Sequence, residues 1–187
     1  MTRSETLHRN DKLWGAVAEA LVAAYALIGA AGKLSSYRPF TDVDGKDIVM
    51  DLAGGFTDIY LQVKCALQIN RNYRIAGTVR LHEDHVPSSS KFVYVFCLLD
   101  RRKMELTRIW VVPSAIFYRR AYRTALPKRM VQFNFDCRPG GDERWDEFEV
   151  RRDELGSRLV SLIRLAATDR RRVRQRVPAG RWLELAA

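Results

Sequence analysis

Residues 47–65 read DIVMDLAGGFTDIYLQVKC, and the way this stretch folds constrains the rest of the chain. From Asp47 to Leu52 the side chains alternate, with Ile48, Met50 and Leu52 on one side of an extended backbone and Asp47, Val49 and Asp51 on the other. Ala53-Gly54-Gly55-Phe56-Thr57-Asp58 supplies turn residues that reverse the chain. Ile59 to Cys65 alternates again, setting Ile59, Leu61, Val63 and Cys65 against Tyr60, Gln62 and Lys64. Folded as a hairpin around this turn, Leu52 pairs with Ile59, Met50 with Leu61 and Ile48 with Val63. The opposite face then matches Asp51 with Tyr60, Val49 with Gln62 and Asp47 with Lys64. One face is wholly apolar and belongs on a core. A slip of one residue would bury the charges instead, so this facing is strongly preferred.

Outward from the hairpin, the pattern predicts a helix over residues 13–28, ended near Gly29 or Gly32, with Trp14, Val17, Leu21, Tyr25 and Ile28 as its bulky stripe. A weaker alternation from Tyr73 to Leu81 reads as a third strand, and His82 to Lys91 as a polar loop. Phe92 to Leu99 is continuously apolar, as in a central strand covered on both faces. Arg108 to Val112 is another strand, and Pro113-Ser114 opens a helix over residues 115–124. Val131, Phe133 and Phe135 mark an outer strand, and a last helix covers residues 152–167. This order predicts an α/β fold with a mixed central sheet flanked by helices.

A chain of 187 residues suits one domain, with its core over about residues 12–168 and a basic tail over 169–187. The formal net charge of +10 raises the local concentration of polyanions, which makes nucleic acid the first partner to consider. Lys33, Arg71, Arg74 and Arg80 flank the hairpin and are the candidate contacts to it. Cys65, Cys97 and Cys137 lack CxxC spacing, which argues against a disulfide framework or zinc cluster and for reduced thiols in the cytoplasm. Residues 13–31 are nearly all apolar, yet they contain Glu19 and eight alanines. They read as a buried helix of a soluble protein, with no membrane partner.

The polar face of the hairpin matches what phosphodiester hydrolysis requires: a divalent cation against the phosphate and an activated water beside it. Magnesium takes oxygen ligands and keeps several waters, so few protein donors suffice. Asp47 offers a carboxylate, Gln62 a side-chain carbonyl and Val63 a backbone carbonyl, while Lys64 can stabilise charge on the phosphate. Glu19 is the one residue between Leu13 and Ala31 that is charged at neutral pH. A carboxylate set among apolar residues needs a cation or donors. A plainer reading stands beside this one, in which Asp47 and Lys64 form a cross-strand ion pair and Glu19 is paired with an arginine.

Asp47-Ile48-Val49-Met50, followed by Gln62-Val63-Lys64 and preceded by a helix carrying Glu19, resembles the PD-(D/E)XK nuclease superfamily in its Q-x-K variant. The resemblance covers roughly residues 12–120. It implies a restriction-endonuclease-like α/β/α core and a metal-dependent endonuclease acting on DNA. It also implies a site of Glu19, Asp47, Gln62 and Lys64 holding Mg²⁺ or Mn²⁺. By analogy with nucleases that cut two strands, a homodimer is expected. The sequence departs from the family pattern at Lys46, where a proline is usual, and at Gln62, which replaces the commoner acidic residue and removes a negative charge. The alternative is the same fold without catalysis, holding nucleic acid or a protein partner.

Overall fold

The expected hairpin is present with the expected facing, but its pairing is displaced by two residues. The computed structural model describes residues 3–39, 45–55, 57–70, 72–86, 88–140 and 144–176. In it β2 (Ile48–Leu52) and β3 (Asp58–Ala66) are antiparallel, with Ile48 opposite Leu61, Met50 opposite Ile59 and Asp51 opposite Asp58. The reversal is tighter than expected because the Gly55 N–H donates to the Leu52 carbonyl at 2.7 Å, with Gly54 at φ +74°. An even displacement leaves every side chain on its own face.

β1 (Leu34–Tyr37), β5 (Phe92–Asp100), β6 (Glu105–Pro113) and β9 (Glu149–Val150) complete a six-stranded sheet in the order β1-β2-β3-β5-β6-β9. Only the β3–β5 pair is parallel, so the central sheet is mixed. A smaller antiparallel sheet of β4 (Ile75–His82), β8 (Met130–Cys137) and β7 (Tyr122–Leu126) is separate. Among the described residues the α-helices are α1 (Arg3–Gly29), α2 (Ser114–Arg120) and α3 (Leu155–Arg176).

One face of the central sheet carries α1 and α3. There Leu61, Val63, Val95 and Ile109 pack with Ala18, Val22 and Ala26 of α1 and Leu155, Leu159 and Ile163 of α3. The stripe of α1 that is fully buried is therefore the small one, and Ile28 from the bulky stripe is 77% exposed. Small side chains let the helix approach closely. At the crossing with α3, a Cβ on Gly156 would stand 2.2 Å from the Ala30 nitrogen and 2.3 Å from the Ala26 carbonyl oxygen. By length and composition the segment Asp11–Gly29 could cross a membrane; here its alanine stripe lies against the sheet.

The other face carries the small sheet and α2, joined through Tyr94, Phe96, Trp110, Phe117, Phe133, Phe135 and Trp145. The Phe96 and Phe135 rings stack at 4.1 Å, over the gap left by Gly77, where a Cβ would meet the Phe96 ring at 2.7 Å. The helix expected through residue 124 stops at Arg120, because Ala121 turns extended (φ −69°, ψ 149°) and Tyr122 begins β7. The β-favouring Tyr122 and Thr124 then pair with Asn134 and Gln132. All three cysteines carry free thiols.

Candidate active site

β3 continues past the start of β2, and this overhang creates the site. The last backbone rung runs from the Asp47 N–H to the Leu61 carbonyl at 2.9 Å. At the next position the Val63 N–H donates instead to the Asp47 carboxylate, to Oδ2 at 2.6 Å. Asp47 thus takes with its side chain the place that a further residue of β2 would have filled. A strand residue presents its N–H and C=O to the same neighbour. The Val63 carbonyl therefore opens on the side where β2 has ended.

α1 forms the opposite wall. Between them lies a cleft of about 390 Å³ whose lining includes Asp11, Lys12, Glu19, Asp47, Val63, Lys64 and Cys65. The Cys65 thiol is held below its usual range by its hydrogen bond with Cys97, against the opposing effect of burial. At the far end of β3, Lys91 bonds to Asp58. Burial alone would raise the Asp58 pKa, but bonds from Lys91 and Tyr60 outweigh it, and the carboxyl sits below the usual range. Lys46 and Lys91 stand 4.6 and 5.8 Å from the Tyr60 ring centre, adding positive charge beside the strand.

A solved bacterial homing endonuclease, I-Ssp6803I, is similar to this chain in overall fold, with a TM-score of 0.54 at 13% sequence identity. The match covers 86% of this chain and 96% of that one. The fold is nuclease-like. No family model and no curated protein matches the sequence.

Within the nuclease-like fold the expected site residues fall into two groups. Glu19, Asp47, Val63 and Lys64 share the cleft. Gln62 does not line it. The Gln62 amide rests against Gly45, with Nε2 2.7 Å from where a Cβ on that glycine would stand. Glu19 is 3.4 Å from the Arg38 guanidinium, as in the plainer reading of this acid. Among the described residues no three His, Cys, Asp or Glu side chains are grouped to hold a metal ion. Of the expected nucleic-acid contacts, Lys33 is exposed beside β1. Arg74 immediately precedes β4 and Arg80 lies in it, bonded to Asp136 and Gln132, and Arg71 lies outside the described residues.

Sequence reading missed Arg38 and Lys12. Arg38 reaches the site only because β1 brings the chain back beside α1, and a four-residue strand of Leu-Ser-Ser-Tyr gives almost no alternation to detect. Lys12 lies seven residues before Glu19 on α1. Two helical turns separate them, so they share a face once the helix is known to begin at Arg3.

Proposed function

We propose that this chain is a metal-dependent endonuclease that hydrolyses DNA phosphodiester bonds at the cleft between α1 and the overhanging end of β3, with a PD-(D/E)XK site of the Q-x-K type. The observation that supports it is the sharing of one cleft by Glu19, Asp47, the end of β3 at Val63, and Lys64. The donors available there are carboxylate and carbonyl oxygens. That set suits Mg²⁺ or Mn²⁺, which keep much of their water, better than zinc. Asp47, Glu19 and the Val63 carbonyl would hold the ion, with Gln62 as a further donor if its amide turns from Gly45. When bound, the ion would neutralise the phosphate and lower the pKa of a water. Lys64 would bring an ammonium to that position, where it would stabilise the charge that builds on the phosphate during attack. Asp47 is held by the Val63 N–H, so its carboxylate is oriented before any substrate arrives.

DNA is favoured as the substrate by the net charge of +10 and by the likeness to a homing endonuclease. The reading goes with a cytoplasmic protein whose thiols stay reduced, and with a dimer if both strands are cut. Purified protein incubated with plasmid and branched duplexes should cut in Mg²⁺ or Mn²⁺ and not in EDTA. Asp47→Ala and Lys64→Ala should each lower the rate by about 10²–10³-fold while DNA is still retained in a gel-shift assay. Cutting that persists in both variants, or that ignores metal, sinks this assignment. A second reading, a nuclease fold that binds without cutting, is favoured by the Glu19–Arg38 pair and by the lack, among the described residues, of three acids grouped closely enough to hold a metal ion. It predicts DNA retention with no cleavage in either metal.

A further inference from the structure

The small sheet has an inner face occupied by aromatic packing and an outer face of a different character. Along β8, Val131, Phe133, Phe135 and Cys137 are buried, so Gln132, Asn134 and Asp136 point outward. The register sets Thr78 and Arg80 of β4 beside Asn134 and Gln132, and Tyr122 and Thr124 of β7 on their other side. These neighbours are bonded to one another. The Arg80 guanidinium donates to Gln132 Oε1 at 2.8 Å, Gln132 Nε2 to Asn134 Oδ1 at 3.0 Å, and the Thr78 hydroxyl to the same Asn134 oxygen at 3.3 Å. Ala76, Thr78, Arg80, Tyr122 and Thr124 are all exposed.

A face used only for solubility has no need of two carboxamides and a guanidinium held in fixed geometry across two strands. Guanidinium and carboxamide groups are the side chains that read base edges: arginine bonds guanine, asparagine and glutamine bond adenine, and a threonine methyl meets thymine. Outward residues two apart on a strand are about 6.8 Å apart. That is close to two base-pair steps of about 3.4 Å. Gln132 and Asn134 would then address base pairs two apart along a groove. Single-stranded nucleic acid is a poorer fit, because stacking needs aromatic platforms and Tyr122 is the one aromatic exposed among the strand residues of this face. β4 is an edge strand of this sheet, and a Cβ on its Gly77 would stand 3.8 Å from the Lys64 Cβ, so the inner face lies against the Lys64 side of β3 and the outer face is turned away from it.

We infer that the outer face of the β4-β8-β7 sheet reads sequence in the major groove of duplex DNA through Arg80, Gln132 and Asn134. This rests on the reading of the chain as a DNA-acting protein, and it adds a sequence preference located away from the cleft. The test is selection from a randomised duplex pool with the full chain in EDTA, which prevents cutting, followed by the same selection with Gln132→Ala, Asn134→Ala and Arg80→Ala. These side chains are at the surface, and circular dichroism would confirm that each variant is folded. The wild type should enrich a motif, and each variant should lose discrimination at its own base pair by about tenfold or more, while affinity for unrelated duplex stays within a few-fold. A motif read equally well by all three variants overturns the inference and leaves the nuclease reading standing. So does wild-type binding without preference. Failure of the wild type to bind any duplex overturns both.

Discussion

The two faces of the central sheet are packed by different chemistry, and β5 shows it within one strand. Val93, Val95, Cys97 and Leu99 point toward α1 and α3, whereas Phe92, Tyr94 and Phe96 point toward the small sheet. Against the helices the contacts are aliphatic, with Ala18, Val22 and Ala26 keeping α1 close. Against the second sheet they are rings, with Phe96 on Phe135 at 4.1 Å and Trp145 on Phe135 at 5.1 Å. A helix of small residues fits near a sheet of branched ones, while two sheets stand about 10 Å apart and need large side chains to fill the space. The candidate site sits where these two layers meet at the end of β3. It takes Glu19 from the helical layer, while β4 of the aromatic layer passes beside Lys64.

If the layers differ in this way, removing one ring should cost more than removing one branched side chain from the same strand. Phe96→Ala is expected to lower the unfolding free energy by about 3–5 kcal/mol, and Val95→Ala, on the helical face, by roughly 2 kcal/mol. Urea denaturation of both would decide it. Equal losses would mean that the ring stack contributes no more than its aliphatic counterpart.

The helical face has its own weak point in Gly156. An alanine there places a Cβ against α1 backbone at 2.2–2.4 Å, and backbone cannot rotate away. A cost near the upper end of about 1–3 kcal/mol is expected for Gly156→Ala. Gly77→Ala should cost less, because its nearest neighbour is the Phe96 ring, which can shift. The reverse order in a denaturation series would place the rigid contact on the aromatic side.

A smaller effect separates the two ends of β3 by pH. Asp58 is bonded to Lys91 and has its carboxyl pKa lowered in the folded state. A carboxylate whose folded pKa lies below its unfolded value stabilises the fold at pH above the unfolded value. That contribution fades as the pH drops through the folded one. The stability difference between wild type and Asp58→Asn should therefore hold near neutral pH and shrink as the pH falls below about 4. A difference that is flat from pH 7 to pH 2.5 would show that the Lys91 contact does not perturb the carboxyl.

Much of this architecture was legible because β2, β3 and β5 carry strong periodic signals. The alternation from Asp47 to Cys65 set the facing correctly even though the pairing moved by two residues, since facing depends only on odd or even register. The turn length was not legible, because a run of Ala-Gly-Gly-Phe-Thr-Asp permits several closures and a single bond from Gly55 to Leu52 selects one. Tyr122 to Thr124, the start of β7, was read as helix because its partner, β8, comes from residues further along the chain, and tertiary pairing overrode the local pattern. At the site, Asp47 and Lys64 could be found from spacing alone. The Glu19–Arg38 contact could not, since it joins residues nineteen apart through a strand too short to show itself.

That contact offers the finest discrimination between the helical and aromatic sides of the cleft. The Arg38 side chain is 56% exposed and that of Glu19 24% exposed, so losing their attraction should change stability by only about 0.2–1 kcal/mol. Its consequence for a cation should be larger, because Arg38 competes for the carboxylate that the metal would use. Arg38→Ala is therefore expected to tighten Mn²⁺ binding in calorimetry, while Glu19→Gln and Asp47→Ala weaken it. If Arg38→Ala and Glu19→Gln both leave Mn²⁺ binding as it is and Asp47→Ala alone abolishes it, the helix wall contributes an ion pair and nothing more, and the ion is held from the β3 side by itself.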